Sequence, residues 1–265
     1  MPSERFPYSP APESRAVVNL KPSYGLFIGG ELVEPIDGGH FKTESPSSQE
    51  VLAEVSSAGP ADVDRAVLAA RRAQAEVWGP MPGKERAKYL FRVARIMQER
   101  ARELAVLETL DNGKPIKESR DVDIPLAAAH FFYHAGWADK LAYAGLGSRP
   151  KPLGVAGQVI PWNFPLLMAA WKLAPALATG NTCVLKPAET TPLSALLLAE
   201  IFQQADLPAG VVNIVTGAGD TGAALVTHPG VDKVAFTGST EVGKQIQRSL
   251  AGDYKNRSIE HYGLS

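Results

Sequence analysis

The 265-residue sequence has very little cysteine and no excess of charge of either sign. Cys183 is its one cysteine, so no disulfide can form within the chain, which favours a reducing, cytoplasmic setting. Lys and Arg number 27 against 28 Asp and Glu, without the basic stripe that nucleic acid or an anionic membrane surface attracts. We therefore expect neither a nucleic-acid partner nor a membrane partner.

Long apolar runs are also missing from the sequence. The run LLMAAWKLAPALA is interrupted by Lys172 and Pro175, and it is too short to cross a bilayer. The proline-rich start of the chain lacks the apolar centre of a signal peptide, and residues 1–22 are predicted to form a disordered lead-in. Hydrophobic residues make up 45% of the chain, which is typical of a globular protein with a core.

The first half of the chain predicts a hairpin followed by helices. GLFIGGELVEP has two apolar runs around Gly29 and Gly30, a pair suited to a tight turn. Apolar residues at helical spacing predict helices over about 60–78, 82–110 and 118–141, with Pro125 as a kink or a start in the last. This half shows no chemical motif, and we interpret it as a helical layer packed on another element.

After residue 150 short apolar strands alternate with helices. Strands are predicted over 155–160, 182–186, 211–215 and 233–237, and helices over 166–179, 193–204, 223–227 and 241–250. Strands that are continuously apolar are typical of a sheet buried on both faces. Four such units in a row predict an α/β fold with a doubly wound, Rossmann-like parallel sheet.

An unusual segment follows each predicted strand: PWNFP, KPAE, TGAGDTG and TGSTEVG. The carboxyl ends of parallel strands lie at one edge of the sheet, and open α/β sheets bind their ligands there. The four segments therefore predict one binding site at that edge.

The two glycine-containing segments are suited to phosphate. In TGSTEVG, Gly238 permits close approach of a ligand, and Ser239 precedes a helix whose free N–H groups attract anions. In TGAGDTG, Gly217, Gly219 and Gly222 have the spacing of a dinucleotide-binding turn. A plain N-cap and a plain tight turn are the alternative interpretations, and both stay open.

The other two segments carry polar side chains. Lys186 and Glu189 of KPAE can bond ribose hydroxyls, and a carboxylate there would repel a 2′-phosphate, which favours NAD over NADP. The alternative is a surface salt bridge. Asn163 of PWNFP is a candidate oxyanion donor, although an Asn can also bond its own turn.

A histidine pair is the one metal-like feature of the sequence. His130 and His134 lie one helical turn apart, a spacing that can ligate zinc. No third ligand is spaced nearby, so we interpret the pair as packing or surface residues and predict no metal site.

Taken together and in this order, the segments resemble the NAD-binding half of the aldehyde dehydrogenase superfamily. The resemblance runs over about 24–252 and includes GLFIGGELV, ETLDNGKPIKES, AGWADK, GVAGQVIPWNFPLLMAAWKLAPALATGNTCVLKPAETTP, LPAGVVNIVTG and VDKVAFTGSTEVGK. Members of that family attack an aldehyde with a cysteine thiolate, pass hydride to NAD(P) and hydrolyse the thioester. The resemblance thus implies a small-molecule aldehyde as the substrate of the complete enzyme.

The resemblance implies a role for each matching residue. Asn163 would supply the side-chain half of the oxyanion hole. Cofactor contacts would come from the channel residues Ile160, Pro161, Trp162 and Asn163, the ribose residues Lys186, Pro187, Ala188 and Glu189, the adenine-end residues Gly219 and Asp220, and the pyrophosphate segment Gly238, Ser239, Thr240, Glu241, Val242 and Gly243.

The resemblance also answers whether Cys183 is the nucleophile. It lies inside the strand TCVLK, and the family's nucleophile comes in a later domain, so Cys183 is interpreted as a packing residue. The chain is expected to be truncated before the catalytic domain. Glu260 falls near the family's general-base glutamate, but the surrounding residues depart from the family pattern, and 253–265 is interpreted as an aberrant tail. A shortened oligomerisation arm is expected over 139–153 of the domain 23–252.

Three hypotheses follow for function. The first is an NAD-dependent aldehyde dehydrogenase of which this chain is the cofactor module, inactive alone. The second is a non-catalytic nucleotide-binding protein that associates with itself or with a full-length relative through an exposed apolar face. The third is a thiol-based acyl-CoA or acyl-phosphate reductase, although PWNFP together with KPAE favours the aldehyde oxidisers.

Overall fold

The computed structural model describes residues 14–145, 150–251 and the backbone of 258–263. The strands are β1 (Ser23–Tyr24), β2 (Leu26–Ile28), β3 (Glu31–Val33), β4 (His40–Glu44), β5 (Val51–Ser56), β6 (Val155–Val159), β7 (Thr182–Lys186), β8 (Val212–Ile214), β9 (Lys233–Gly238) and β10 (Ser258–Gly263). The α-helices are α1 (Pro60–Ala73), α2 (Gly83–Glu99), α3 (Ala101–Asn112), α4 (Ile116–Glu118), α5 (Ile124–Trp137), α6 (Pro165–Ala178), α7 (Leu193–Gln204), α8 (Gly219–Thr227) and α9 (Thr240–Leu250).

Seven strands form the main sheet in the order β10-β9-β6-β7-β8-β2-β3. The five strands from β10 to β8 are parallel, and for β6, β7, β8 and β9 the alternation of strands and helices predicts this. The predicted hairpin, β2 and β3, joins this sheet antiparallel to β8. Gly29 and Gly30 both have positive φ, 65° and 89°, because the two-residue turn requires it.

Helices cover both faces of the sheet, so the doubly wound α/β architecture is confirmed. α1, α8 and α9 pack on one face, and α2, α3, α5, α6 and α7 form the layers on the other. Successive side chains of a strand point to opposite faces. In β7, Cys183 and Leu185 therefore enter one hydrophobic core and Val184 enters the other.

Several predicted bounds differ from the structure. The predicted helix 82–110 divides at Arg100, whose ψ of 16° is not helical, into α2 and α3. α8 begins at Gly219, four residues earlier than predicted, because the chain turns at Gly217 (φ 147°). A separate three-stranded sheet of β1, β5 and β4 was not predicted at all, since its strands are short and only partly apolar.

The N-terminal prediction is wrong for residues 14–22. Val18 and Leu20 pack against the larger core, and Lys21 forms an ion pair with Glu200 of α7, so this part of the chain is held by burial and charge. The rest of the predicted lead-in, 1–13, lies outside the described residues.

The segment interpreted as an aberrant tail contains β10, which pairs in parallel with β9. The sequence did not predict this strand. The centre of the arm expected over 139–153, residues 146–149, lies outside the described residues, as do 252–257 and 264–265.

Candidate functional site

The principal cleft lies at the carboxyl edge of the parallel strands. From β6 the chain proceeds outward to β7 and β8, and then returns to β9 on the other side of β6. The order of strands therefore reverses beside β6, and such a switch point opens a crevice at the sheet edge. The cleft there encloses about 980 Å³ and is lined by segments that follow β6, β7 and β9 and by α8 and α9.

Asn163 lies in the loop between β6 and α6. Its Oδ1 atom is buried and has no hydrogen-bond partner among the described residues, so this oxygen does not bond its own turn. The neighbouring Trp162 is exposed, and its carbonyl accepts a hydrogen bond of 2.5 Å from Nδ2 of Asn112 on α3. The loop is thus fixed from outside while Asn163 faces the cleft.

Lys186, the last residue of β7, is buried in the wall of the cleft. Its Nζ donates to the carbonyl of Pro187 at 3.0 Å and to Oε2 of Glu189 at 3.4 Å. Burial lowers the pKa of Lys186, and the nearby Glu189 opposes that shift. The salt bridge of the alternative interpretation is present, but its lysine is buried, and Glu189 is half-exposed towards the cleft.

The three glycines of TGAGDTG have different structural roles. A side chain on Gly217 would place a Cβ 2.2 Å from Oγ1 of Thr221, which itself donates to the carbonyl of Ala58. Gly219 has open space where its Cβ would be, and a Cβ on Gly222 would lie 3.4 Å from Cδ of Lys186, an ordinary contact distance. The turn therefore needs Gly217, while Gly219 leaves the cleft wall open.

The start of α9 forms the opposite wall of the cleft. Ser239 is its N-cap and accepts a hydrogen bond from the N–H of Val242 at 3.3 Å. A Cβ on Gly238 would lie 2.5 Å from the ring of Phe236, so the approach of the strand end to the helix requires glycine or a shift of that ring. The plain N-cap is confirmed, and Ser239 and Val242 of this helix start line the cleft, so the positive end of the helix dipole makes that wall suited to an anion.

The structure brings most of the predicted residues together. Those that line the cleft are Ile160, Pro161, Trp162, Asn163, Lys186, Ala188, Glu189, Gly219, Asp220, Gly238, Ser239 and Val242. Four other predicted residues do not line the cleft. Of these, Pro187 and Gly243 are buried, and Thr240 and Glu241 are exposed beside it.

Sequence reasoning missed the helical sides of the cleft. They are formed by Val226 and Thr227 of α8 and by Gln245, Ile246 and Ser249 of α9. The available signal was spacing, since 242, 245, 246 and 249 share one face of a helix that begins at the predicted anion site. The spacing identifies these residues as cleft residues only once the position of α8 relative to α9 is known.

Cys183 is unsuited to nucleophilic chemistry. It is buried as a free thiol, and burial raises the pKa of that thiol. Nε2 of Gln158 donates to its sulfur at 3.4 Å. The interpretation of Cys183 as a packing residue is therefore confirmed, because the thiolate is the reactive form of cysteine.

The two histidines of α5 form a stacked pair. Their ring centroids lie 6.0 Å apart, and Nδ1 of His134 donates to the carbonyl of His130 at 2.8 Å. His130 also packs on Trp171. Within the part of the chain that the structure describes, no group of three His, Cys, Asp or Glu side chains is arranged to hold a metal ion.

Glu260, the candidate general base, lies in β10, where its backbone pairs with Ala235. Only the backbone is described there, so the catalytic role of Glu260 stays a prediction. Among the described helices, none has the length and apolar character needed to cross a membrane.

The fold and the cleft define a doubly wound α/β protein with a candidate ligand site at the switch point of the sheet. The model of the aldehyde dehydrogenase family matches residues 33–265, and the chain belongs to this family. The match extends through the segment that the sequence resemblance had set apart as aberrant.

Individual relatives agree with this assignment. The chain is 49% identical over 251 residues to the mitochondrial benzaldehyde dehydrogenase of Antirrhinum majus, which covers 91% of this chain and 47% of that protein. It is 46% identical over 259 residues to the acetaldehyde dehydrogenase of Pseudomonas aeruginosa, covering 94% of this chain and 51% of that one. The chain thus spans about half the length of the curated relatives it matches.

A solved structure gives the same result. The NAD+ complex of an aldehyde dehydrogenase from Bacillus cereus matches with a TM-score of 0.86 and 44% identity, covering 94% of this chain and 54% of that chain. The described fold is therefore that of the corresponding half of an aldehyde dehydrogenase.

Proposed function

We propose that this chain forms the NAD-binding half of an NAD-dependent aldehyde dehydrogenase, which oxidises an aldehyde to a carboxylic acid. One observation carries the proposal: Asn163, the Lys186–Glu189 pair and the start of α9 all line one cleft at the switch point. The same proposal places the protein in a reducing, cytoplasmic setting, where its single buried thiol stays free.

The residues of the cleft fit a dinucleotide. The first turn of α9 offers N–H groups and a positive helix end for the pyrophosphate, with Ser239 as its cap. Lys186 and Glu189 offer a donor and an acceptor to ribose hydroxyls, and the space above Gly219 leaves room for a base. When bound, the nicotinamide supplies the acceptor for the hydride of the substrate.

Asn163 is assigned the oxyanion-donor role. The backbone of its loop is anchored by the hydrogen bond from Asn112 of α3 to the carbonyl of Trp162, and the Asn163 side chain lines the cleft, where its amide can donate to an oxyanion. The thiolate that attacks the aldehyde is not Cys183, which is buried and protonated. The reaction therefore needs a thiol from outside these 265 residues.

The preference for NAD over NADP rests on Glu189. Its carboxylate is half-exposed at the cleft, 3.4 Å from the buried ammonium of Lys186. A 2′-hydroxyl can donate to this carboxylate, whereas a 2′-phosphate would meet a like charge. Calorimetric titration of NAD and NADP into the 265-residue chain tests this directly.

We expect saturable NAD binding that weakens about tenfold in Glu189→Gln, because the ribose hydroxyl then donates to a neutral acceptor instead of a charged one. The difference in affinity between NAD and NADP should also become smaller, because the charge that repels a 2′-phosphate is gone. Glu99→Gln, an exposed carboxylate at the end of α2 and away from the cleft, is the matched control. Equal affinity of Glu189→Gln and Glu99→Gln for NAD would count against the assignment, and absence of NAD binding to the wild type would count against the proposal itself.

The catalytic part of the proposal is tested by complementation. Adding the second, catalytic half of a relative in trans should give NAD-dependent aldehyde turnover with the wild-type chain and not with Asn163→Ala. Turnover that survives Asn163→Ala would remove Asn163 from the oxyanion role. Turnover that depends on coenzyme A would favour a reductase instead.

A second candidate function is a nucleotide-binding protein that associates with a full-length relative or with itself. It is favoured by the large aromatic side chains exposed on α5 and α6, namely Tyr133, Trp137 and Trp171. Sedimentation of the purified chain, alone and mixed with a full-length aldehyde dehydrogenase, distinguishes the two. A monomer that does not bind the full-length enzyme would exclude this candidate.

A further inference from the structure

The end of helix α3 contacts both loops that carry the candidate site residues. Glu108 is buried, and its Oε2 accepts a hydrogen bond of 3.1 Å from the N–H of Leu166 in the first turn of α6. α6 begins directly after the Asn163 loop. Its N-cap, Phe164, has no side-chain acceptor, and Pro165 has no N–H, so Leu166 carries the first N–H of the helix that needs a partner. Glu108 thus caps α6 from a distant part of the chain.

Asp111 does the same for the next helix. Its Oδ2 accepts from the N–H of Leu193, the first residue of α7, at 2.8 Å, and its Oδ1 accepts from the hydroxyl of Thr43 at the same distance. α7 follows the loop that begins at Lys186, and its N-cap, Pro192, makes no side-chain hydrogen bond. The first turn of α7 therefore also depends on a carboxylate from α3.

Two more residues at this end of α3 contact the Asn163 loop itself. Asn112 donates to the carbonyl of Trp162, and Nζ of Lys114 lies 4.5 Å from the ring centroid of Phe164. Lys114 is held in turn by Asp123 at 2.6 Å. The segment that contains Glu108, Asp111, Asn112 and Lys114 is named the α3 clamp below.

We propose that Glu108 and Asp111 of the α3 clamp are positioning residues that fix the Asn163 loop and the Lys186–Glu189 loop relative to each other. The two carboxylates are three residues apart in one helix, so they lie on the same face within one turn. Each holds the start of a helix that follows a strand of the cleft. The spacing between the two loops is then set by one rigid helical turn, supported by the helix dipoles of α6 and α7.

The clamp is tested by hydrogen exchange on the full 265-residue chain. Glu108→Ala should speed exchange in the segment 161–168 by about tenfold, because the loss of an N-cap raises the equilibrium constant for local opening by about that factor. Glu108→Gln keeps an oxygen acceptor and should restore protection. Glu103→Ala, on the same helix but bonded to Arg100, is the matched control and should leave this segment unchanged.

Cofactor affinity is the second readout, and it rests on the proposed function. Glu108→Ala should weaken NAD binding about tenfold with rescue by Glu108→Gln. Val93→Ala removes buried methyl groups of α2, which belong neither to the two loops nor to the lining of the cleft, and should lower stability without this loss of affinity. An equal loss in Val93→Ala would show that Glu108 acts through global stability and would overturn the positioning role.

The two failures are separable. If the wild-type chain does not bind NAD, the proposed function is contradicted, while exchange in 161–168 still decides whether the clamp exists. Unchanged exchange in Glu108→Ala would overturn the clamp whatever the affinity for NAD. Should Glu108→Ala fail to fold, Asp111→Ala gives the same test at segment 188–195 and leaves the buried Glu108–Lys114 pair in place.

Discussion

At the scale of the residue, the glycines after β8 show how similar motif positions differ in their physical need for glycine. Gly217 has φ of 147°, a region that residues with a side chain rarely adopt, and its Cβ would strike the Thr221 hydroxyl. Gly219 has no such constraint. The motif alone does not distinguish Gly217 from Gly219, whereas the φ angle and the surroundings of each residue do.

We therefore expect Gly217→Ala to lower the free energy of unfolding by about 1–3 kcal/mol through backbone strain and the lost Thr221–Ala58 hydrogen bond. Gly219→Ala, at the first position of α8, should change it by less than about 0.5 kcal/mol. Urea unfolding of the two variants gives the comparison. Similar stability of the two would mean that the turn relaxes freely around a side chain.

At the scale of the element, α3 carries two buried carboxyl groups whose ionisation is coupled to folding. Burial raises the pKa of Glu108 to about 7 and that of Asp111 to about 7, although Lys114 and the N–H of Leu166 oppose the shift for Glu108 and Asp123 adds to it. Both pKa values lie above those of the unfolded chain. The folded state therefore holds protons between about pH 4 and 7 that the unfolded state has released.

The protonated Glu108 and Asp111 carboxyl groups therefore contribute to the free energy of unfolding at the lower end of that range, and this contribution is lost as the pH rises through about 7. We expect the free energy of unfolding of Glu108→Gln to fall less steeply between pH 5 and 7 than that of the wild type. Denaturant unfolding at several pH values measures the two slopes. Identical slopes would show that Glu108 does not titrate in this window.

At the scale of the whole molecule, one ion pair ties α1 to the amino edge of the main sheet. Arg71 of α1 bonds Asp232 at 2.6 Å and the carbonyl of Gly230 at 2.9 Å. Asp232 also accepts from the N–H of Val155 at 2.8 Å, directly at the start of β6. Asp232 is 77 positions from Val155 and 161 from Arg71, so these contacts fix segments that are distant in the chain to the start of β6.

Asp232→Ala is expected to destabilise the protein by about 1–3 kcal/mol, because it leaves the Val155 N–H and the Arg71 guanidinium without this partner. Asp206→Asn, which alters an exposed pair with Arg92 and tolerates the positive φ of that position, should stay within about 0.5 kcal/mol. Thermal and urea unfolding both report the difference. Equal effects at the two positions would mean that the Arg71 contact adds nothing to the fold.

Much of the central fold can be predicted because its patterns are local. β7 and α7 have the predicted bounds, since a buried strand is a short apolar run and its helix is marked by prolines and apolar spacing. The turn at Gly29 and Gly30 follows from residue chemistry in the same way. By contrast, β1, β4 and β5 have mixed burial, and β1 pairs with β5 from beyond the hairpin of β2 and β3, so no local pattern identified them.

The sequence by itself determined the parallel α/β units, the family resemblance and the four segments at the strand ends, because each depends on residues close together in the chain. Only the tertiary structure decided that α8 and α9 supply the sides of the cleft and that α3 caps α6 and α7. Glu108 is 58 residues from Leu166, and Asp111 is 82 from Leu193. A hydrogen bond across such a separation depends on how helices pack, and packing is a property of the assembled core rather than of any segment.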